Sequence, residues 1–154
     1  MVQNILNNIR TDLLTIDGSG FTNTITKAFK DLRFVGDLND SDFDACYIGA
    51  GKEVANQTGE RVIQCELPVF GLIYFKIGVD TLNAGTLESK AESYREDIYE
   101  LNKVWTATLQ SLDADSERCV VSCDIVSITP YINTGFPDRG ELEFELKIIY
   151  NRGL

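Results

Sequence analysis

The chain has 154 residues, 44% of them hydrophobic and 25% charged, which suits one domain able to bury a core without disulfides. Its 24 acidic against 14 basic residues give a net charge of −10, which argues against a protein that grips a phosphate backbone, because such proteins neutralise phosphates with Lys and Arg. The absence of histidine removes Ser-His-Asp and Cys-His catalysis.

Val2, Ile5, Leu6, Ile9, Leu13 and Ile16 recur at helical spacing, predicting an amphipathic helix from residue 2 to about 15, stopped by Asp-Gly-Ser-Gly at 17–20. The same stretch lacks the basic start and continuous apolar centre of a signal peptide, and no apolar run approaches the roughly 20 residues of a membrane helix. Synthesis in the cytoplasm, with no membrane partner, is expected. The next segment, TNTITKAFKDLRF, is ambiguous: Ile25, Ala28, Phe29 and Leu32 fit a helical face, while its threonines suit a strand.

Asp37, Asp40, Asp42 and Asp44 follow in GDLNDSDFDA. They are a candidate calcium cluster, but the glycine at position six and glutamate at position twelve of a helix-loop-helix site are missing. A solvated acidic loop is expected instead. CYIGAGKEV, a strand at about 44–50 running into Gly-x-Gly-Lys, is superficially a phosphate loop, yet Cys46 stands where the first glycine is required and Glu53 where the hydroxyl is. It reads as a mobile polar connection to the next strand.

RVIQCELPVFGLIYFKIGV places Ile63, Cys65, Leu67, Val69, Ile73, Phe75, Ile77 and Val79 on one face, with Gly71 interrupting. The other face begins polar and becomes apolar at Phe70, Leu72 and Tyr74, more than a half-solvated sheet needs, so something should cover it: a neighbouring subunit or the N-terminal helix. Fully extended, the segment would exceed roughly 50 Å; it should bend at Pro68 or Gly71 or project as a hairpin arm, and Pro68 implies an edge strand. From Thr86, a predicted N-cap, Leu87, Ala91, Tyr94, Ile98, Leu101, Trp105 and Leu112 form one apolar stripe, opposite a charged face of Glu88, Lys90, Glu92, Arg95, Glu96, Asp97 and Lys103. Two strands close the chain, SERCVVSCDIVSI and ELEFELKIIY. The second alternates Leu142, Phe144, Leu146 and Ile148 with Glu141, Glu143, Glu145 and Lys147. Between them TPYINTGFPDRG carries the exposed candidates Tyr131, Ile132 and Phe136.

Cys119 and Cys123, spaced C-x3-C, would lie about 13 Å apart on a strand and so could not share a zinc ion. Buried, reduced thiols are expected for these and for Cys46 and Cys65. The pattern predicts an α+β fold: a mostly antiparallel sheet with a long hairpin arm, packed against one long and one shorter helix, in a single domain over residues 1–154.

In this order of elements the chain resembles the tail terminator proteins of long-tailed bacteriophages, relatives of the tail-to-head joining and tail completion proteins. The resemblance is carried by NILNNIRTDLLTI, KAFKDLRFVGDLNDSDFDACYIGAGKE, ERVIQCELPVFGLIYF, ESYREDIYELNKVW and DIVSITPYINTGFPDRGELEFELKIIY. It departs at Asp42-Phe43-Asp44, where the family often has Asn-x-Phe-Pro. The resemblance implies a structural virion protein with neither active site nor cofactor. Such a protein forms a hexameric ring on the head-proximal end of the tail tube, stops tube polymerisation and offers the surface for the head connector. The partners implied are other copies of the chain, the tail tube protein and the neck or connector proteins, with DNA passing through unbound. A neck adaptor or head-completion protein that binds the connector first is the alternative within this class; a small-ligand or metal-binding module using the GAGK loop or the aspartates is the alternative outside it. Phe70, Leu72, Tyr74, Tyr131, Ile132 and Phe136 are the candidate interface residues. Asp37, Asp40, Glu141, Glu143 and Glu145 are candidates for an acidic lumen.

Overall fold

The computed structural model describes residues 2–57, 59, 61–77, 84–110, 120–132, 136 and 138–153; Val79, Leu112 and Cys119 lie outside these. The chain is α+β. Helix α1 (Val2–Leu13) is followed by β1 (Lys27–Phe29), two single-turn 3-10 helices at Val35–Asp37 and Asp40–Asp42, and strands β2 (Ala45–Ala50), β3 (Val54–Gln57) and β4 (Val62–Lys76). Helix α2 (Ala84–Gln110) and strands β5 (Val120–Ile132) and β6 (Arg139–Gly153) complete it. The sheet runs β1-β2-β4-β6-β5, with β3 also on β4. Only the short β1–β2 pair is parallel; the other pairings are antiparallel.

Both helices lie on one face. Ile5, Leu6, Ile9 and Leu13 of α1 and Leu87, Ala91, Tyr94, Ile98, Leu101 and Trp105 of α2 are buried with the inward residues of β2, β4, β5 and β6 in one core. Among the described residues no helix is long and apolar enough to cross a membrane. After α1 the chain reverses through Gly18 and Gly20, both at φ near +85°, a region open to glycine at no steric cost. The Ile25 N–H then returns to the Ile16 carbonyl at 2.7 Å. The ambiguous segment thus becomes a loop with a three-residue strand, and its threonines won over its helical spacing.

Several expectations change. The long segment is one strand, β4, paired along all fifteen residues with β6, and the longest hairpin is β5–β6. Pro68 is in the sheet interior, not on an edge. Its carbonyl accepts the Gly51 N–H at 2.7 Å, and because a residue's N and C=O point to the same side of an antiparallel strand, the missing donor faces the break between β2 and β3. The polar connection read between the 44–50 strand and the long strand holds β3, a four-residue strand of exposed residues with no apolar pattern to announce it. Helix α2 starts at Ala84, two residues before the predicted cap at Thr86.

The charged face of α2 is also revised. Asp97 is only 3% exposed and accepts the N–H groups of Thr22 (2.8 Å) and Asn23 (3.0 Å) and the Asn23 side-chain amide (2.9 Å). Lys90 reaches the Lys76 carbonyl and the Asp44 carboxylate, 2.9 and 3.0 Å away. These two residues fasten the loop after α1 and the end of β4 to the helix. Cys46, Cys65 and Cys123 are buried, and burial pushes Cys46 and Cys123 up to about 12, which keeps them unreactive.

Candidate interaction surface

The face of the sheet opposite the helices carries three parallel rows. In the β4–β6 register Phe70 stands opposite Glu145, Leu72 opposite Glu143 and Tyr74 opposite Glu141. In the β5–β6 register Ser127, Thr129 and Tyr131 stand opposite Glu145, Glu143 and Glu141. Cross-strand neighbours have Cβ atoms about 5 Å apart, so an apolar row, an acidic row and a hydroxyl row touch along their length. The alternation of ELEFELKIIY made the acidic row legible, and the residues expected at an interface and those expected in a lumen turn out to be neighbours on one surface.

One end of that surface is covered by the chain's own 33–43 segment, which neither sequence alternative named. Val35, Leu38, Ala45 and Tyr74 form a second small core, with Phe29, Phe43, Tyr47 and Leu72 packed against it. Tyr74 is therefore fully buried and presents no surface in this conformation. Its hydroxyl donates to the Arg33 carbonyl at 2.8 Å and accepts the Arg33 N–H at 3.1 Å, and burial raises its pKa. Arg139, at the start of β6, clamps the segment: its guanidinium donates to the carbonyls of Val35 (3.2 Å) and Leu38 (3.0 Å) and to Asp40 (3.2 Å). It also lies over the rings of Phe43 and Phe136. Phe136 is half-buried against Phe34, with ring centroids 6.5 Å apart, so it packs on its own chain. Tyr131 is 49% exposed; Ile132 ends β5, and its side chain lies outside what is described.

Beyond the covering segment the surface stays open. Leu32, Tyr47, Phe70, Gly71, Leu72 and Glu143 line a cleft of about 250 Å³. Leu32 is 65% and Phe70 37% exposed. Leu32 and Tyr47 were not among the interface candidates; the outward parity of Tyr47 on β2 was the available signal, while Leu32 came from the segment whose period was ambiguous.

Asp37 and Asp40 stay exposed, as expected of a solvated acidic loop, but the run is also tied down by ion pairs. Asp40 is 3.0 Å from Lys76 and 3.2 Å from Arg139, Asp42 is 2.6 Å from Lys27, and Asp44 holds Lys90 and accepts the Tyr94 hydroxyl. The Lys76 ammonium holds Asp40, and the Lys27 ammonium holds Asp42, below the usual carboxylate range. Asp40, Asp42 and Asp44 are each paired with a cation, and among the described residues no group of three His, Cys, Asp or Glu side chains is placed to hold a metal. Of the lumen candidates, Asp40 is thus neutralised, whereas Asp37 is exposed on the covering segment. In the glycine-lysine stretch, the Gly51 N–H is already bonded to Pro68 and Glu53 accepts the Tyr150 hydroxyl, leaving a poor cradle for phosphate.

The glutamate row is different. Glu141, Glu143 and Glu145 make no ion pair among the described residues. Partial burial, with Glu143 next to it, raises the pKa of Glu141, and Glu143 raises that of Tyr131. A carboxyl whose folded pKa lies above its unfolded value binds its proton more tightly when folded, so ionisation opposes folding. That opposition is absent below the ordinary value of 4.5 and complete above the folded pKa. Glu141→Gln, which keeps an acceptor for the Val35 N–H, is expected to raise the urea midpoint at pH 7. The gain should shrink to nothing as pH falls below about 4.5; an equal gain at both pH values would contradict the assignment.

No protein-family model matches the chain, and no curated protein does either. Solved structures do align. The chain is similar to a component of the "Virion of native gene transfer agent (GTA) particle", with a TM-score of 0.48 and 11% identity over 96% of this chain and 91% of that one. Similarity at that level carries no function, which rests instead on the surface described above.

Proposed function

We propose that the chain is a structural virion protein: a subunit of a ring, hexameric by its sequence resemblance, that sits on the head-proximal end of a phage-type tail tube. It ends tube polymerisation and supplies the surface for joining the head. The observation that carries this reading is the open sheet face, where an apolar cleft lies against three carboxylates without cations. Such a face suits protein docking by shape and charge. The order of elements shared with tail terminators supports the same reading. Six copies would gather roughly −60 charges around the opening, so DNA would slide past without adhering.

Added to growing tail tubes, the protein is expected to stop elongation at substoichiometric amounts, seen as tubes of fixed length by electron microscopy. Tubes that keep growing would contradict the proposal. Capture by connector in the absence of any effect on tubes would favour the neck-adaptor alternative.

A further inference from the structure

The cleft on the open sheet face carries a single charge. Leu32, Tyr47, Phe70 and Leu72 line it around the backbone of Gly71, and Glu143 adds the carboxylate. At about 250 Å³ it has the room of about eight waters, enough for one long side chain. Two glycines let its aromatic walls lie close to the sheet. A methyl group at Gly51 would meet the Phe70 ring at 2.7 Å, and one at Gly49 would meet the Tyr47 hydroxyl at 2.5 Å. Both aromatic side chains thus rest against backbone that carries no side chain, and both stay partly exposed.

Glu143 has no cation of its own among the described residues. Its cross-strand neighbours Leu72 and Thr129 are neutral, the Tyr131 phenol beside it brings no charge, and its neighbours along the strand on this face are Glu141 and Glu145. Exposed Lys147 follows Glu145 on the same row. It stands beside Glu145 but about 13 Å along the strand from Glu143, beyond a Debye length at physiological salt. Arg33, next to Leu32 in sequence, holds its guanidinium over the Phe29 ring, 5.2 Å from the centroid. A purely apolar occupant would therefore withdraw Glu143 from water with nothing in exchange. A second copy docking by the same face would bring its own glutamate row, which repels.

We propose that the cleft receives one arginine side chain of a partner protein, its methylenes along Leu32 and Leu72 and its guanidinium against the Phe70 and Tyr47 rings and the Glu143 carboxylate. Arginine suits this better than lysine, because its planar head stacks on rings while donating to a carboxylate and is more weakly hydrated. The net charge of −10 favours the approach of a basic partner from a distance as well. The inference rests on reading this face as a docking surface, and it does not depend on the ring.

Titration with N-acetyl-arginine amide, followed by backbone amide NMR, tests it. Shifts should saturate in the millimolar range and centre on Phe70, Gly71, Leu72 and Glu143. The citrulline counterpart, equal in shape but uncharged, should bind about fivefold more weakly, and Glu143→Gln should weaken arginine binding by about the same factor. Glu145→Gln, an equal change of charge on a residue that has Lys147 beside it, should leave binding within about twofold. Equal binding of citrulline, equal effects of the two variants, shifts centred elsewhere or no shifts at all would each overturn the proposal. The amide spectrum of each variant reports whether it is folded. Tail tubes separate this outcome from the ring reading: arginine bound as described with tube ends left bare would remove the ring and keep the cleft, whereas capped tubes without arginine binding would do the reverse.

Discussion

Gly71→Ala is expected to destabilise the fold by about 3 kcal/mol, read as a lowered urea midpoint with unchanged slope. A methyl group at this position would lie 2.1 Å from Cζ of Phe144 and within 2.6 Å of two further ring carbons. Phe144 cannot retreat easily. It is fully buried and stacks on Trp105 at a centroid distance of 6.3 Å, and a close-packed interior passes such a displacement on to its neighbours. Gly71 is therefore the place in β4 where the ring from β6 crosses the backbone, a role glycine often has inside a strand. Combining Gly71→Ala with Phe144→Leu should recover part of the loss, because the two changes act on the same space. If the two losses simply add, the clash is not the cause.

Asp97→Ala should cost about 3 kcal/mol for a different reason. The carboxylate accepts two backbone N–H groups, one on each oxygen, and the Asn23 amide besides. Removing it strands donors in a part-buried site, which costs more than the bonds contribute on balance. Asp97→Asn restores little, since its NH₂ would face one of the N–H donors. Hydrogen exchange should show the 22–25 loop opening in both variants while the β4–β6 ladder stays protected. A loss confined to α2, with that loop unaffected, would contradict the role given to Asp97.

The sequence made the alternating strands and the helical stripe of α2 readable because their apolar residues keep a strict period, and those residues form the main core. It also made Phe70 and Leu72 visible as surplus apolar surface. Pairing and long-range polar contacts were hidden. Periodicity places Asp97 one step off the apolar stripe, where solvent is the usual expectation, and only the fold brings the 22–24 loop to it. Pro68 pointed to an edge because the break between β2 and β3, where a missing N–H does no harm, is a property of the neighbouring strands. The cover over Tyr74 was misplaced for the same reason. Nothing in VGDLNDSDFD has a helical or strand period, and it is held by Arg139 from a hundred residues away. The ion pairs of the acidic run were hidden in the same way: their cations come from β1, β4, α2 and β6, which no local pattern reveals.

Imaging the purified protein after mixing it with assembled tail tubes tests the central claim most directly. A ring on one end of each tube, lost when Leu72→Asp spoils the cleft without unfolding the chain, is the predicted result. Bare tube ends at saturating protein would contradict it.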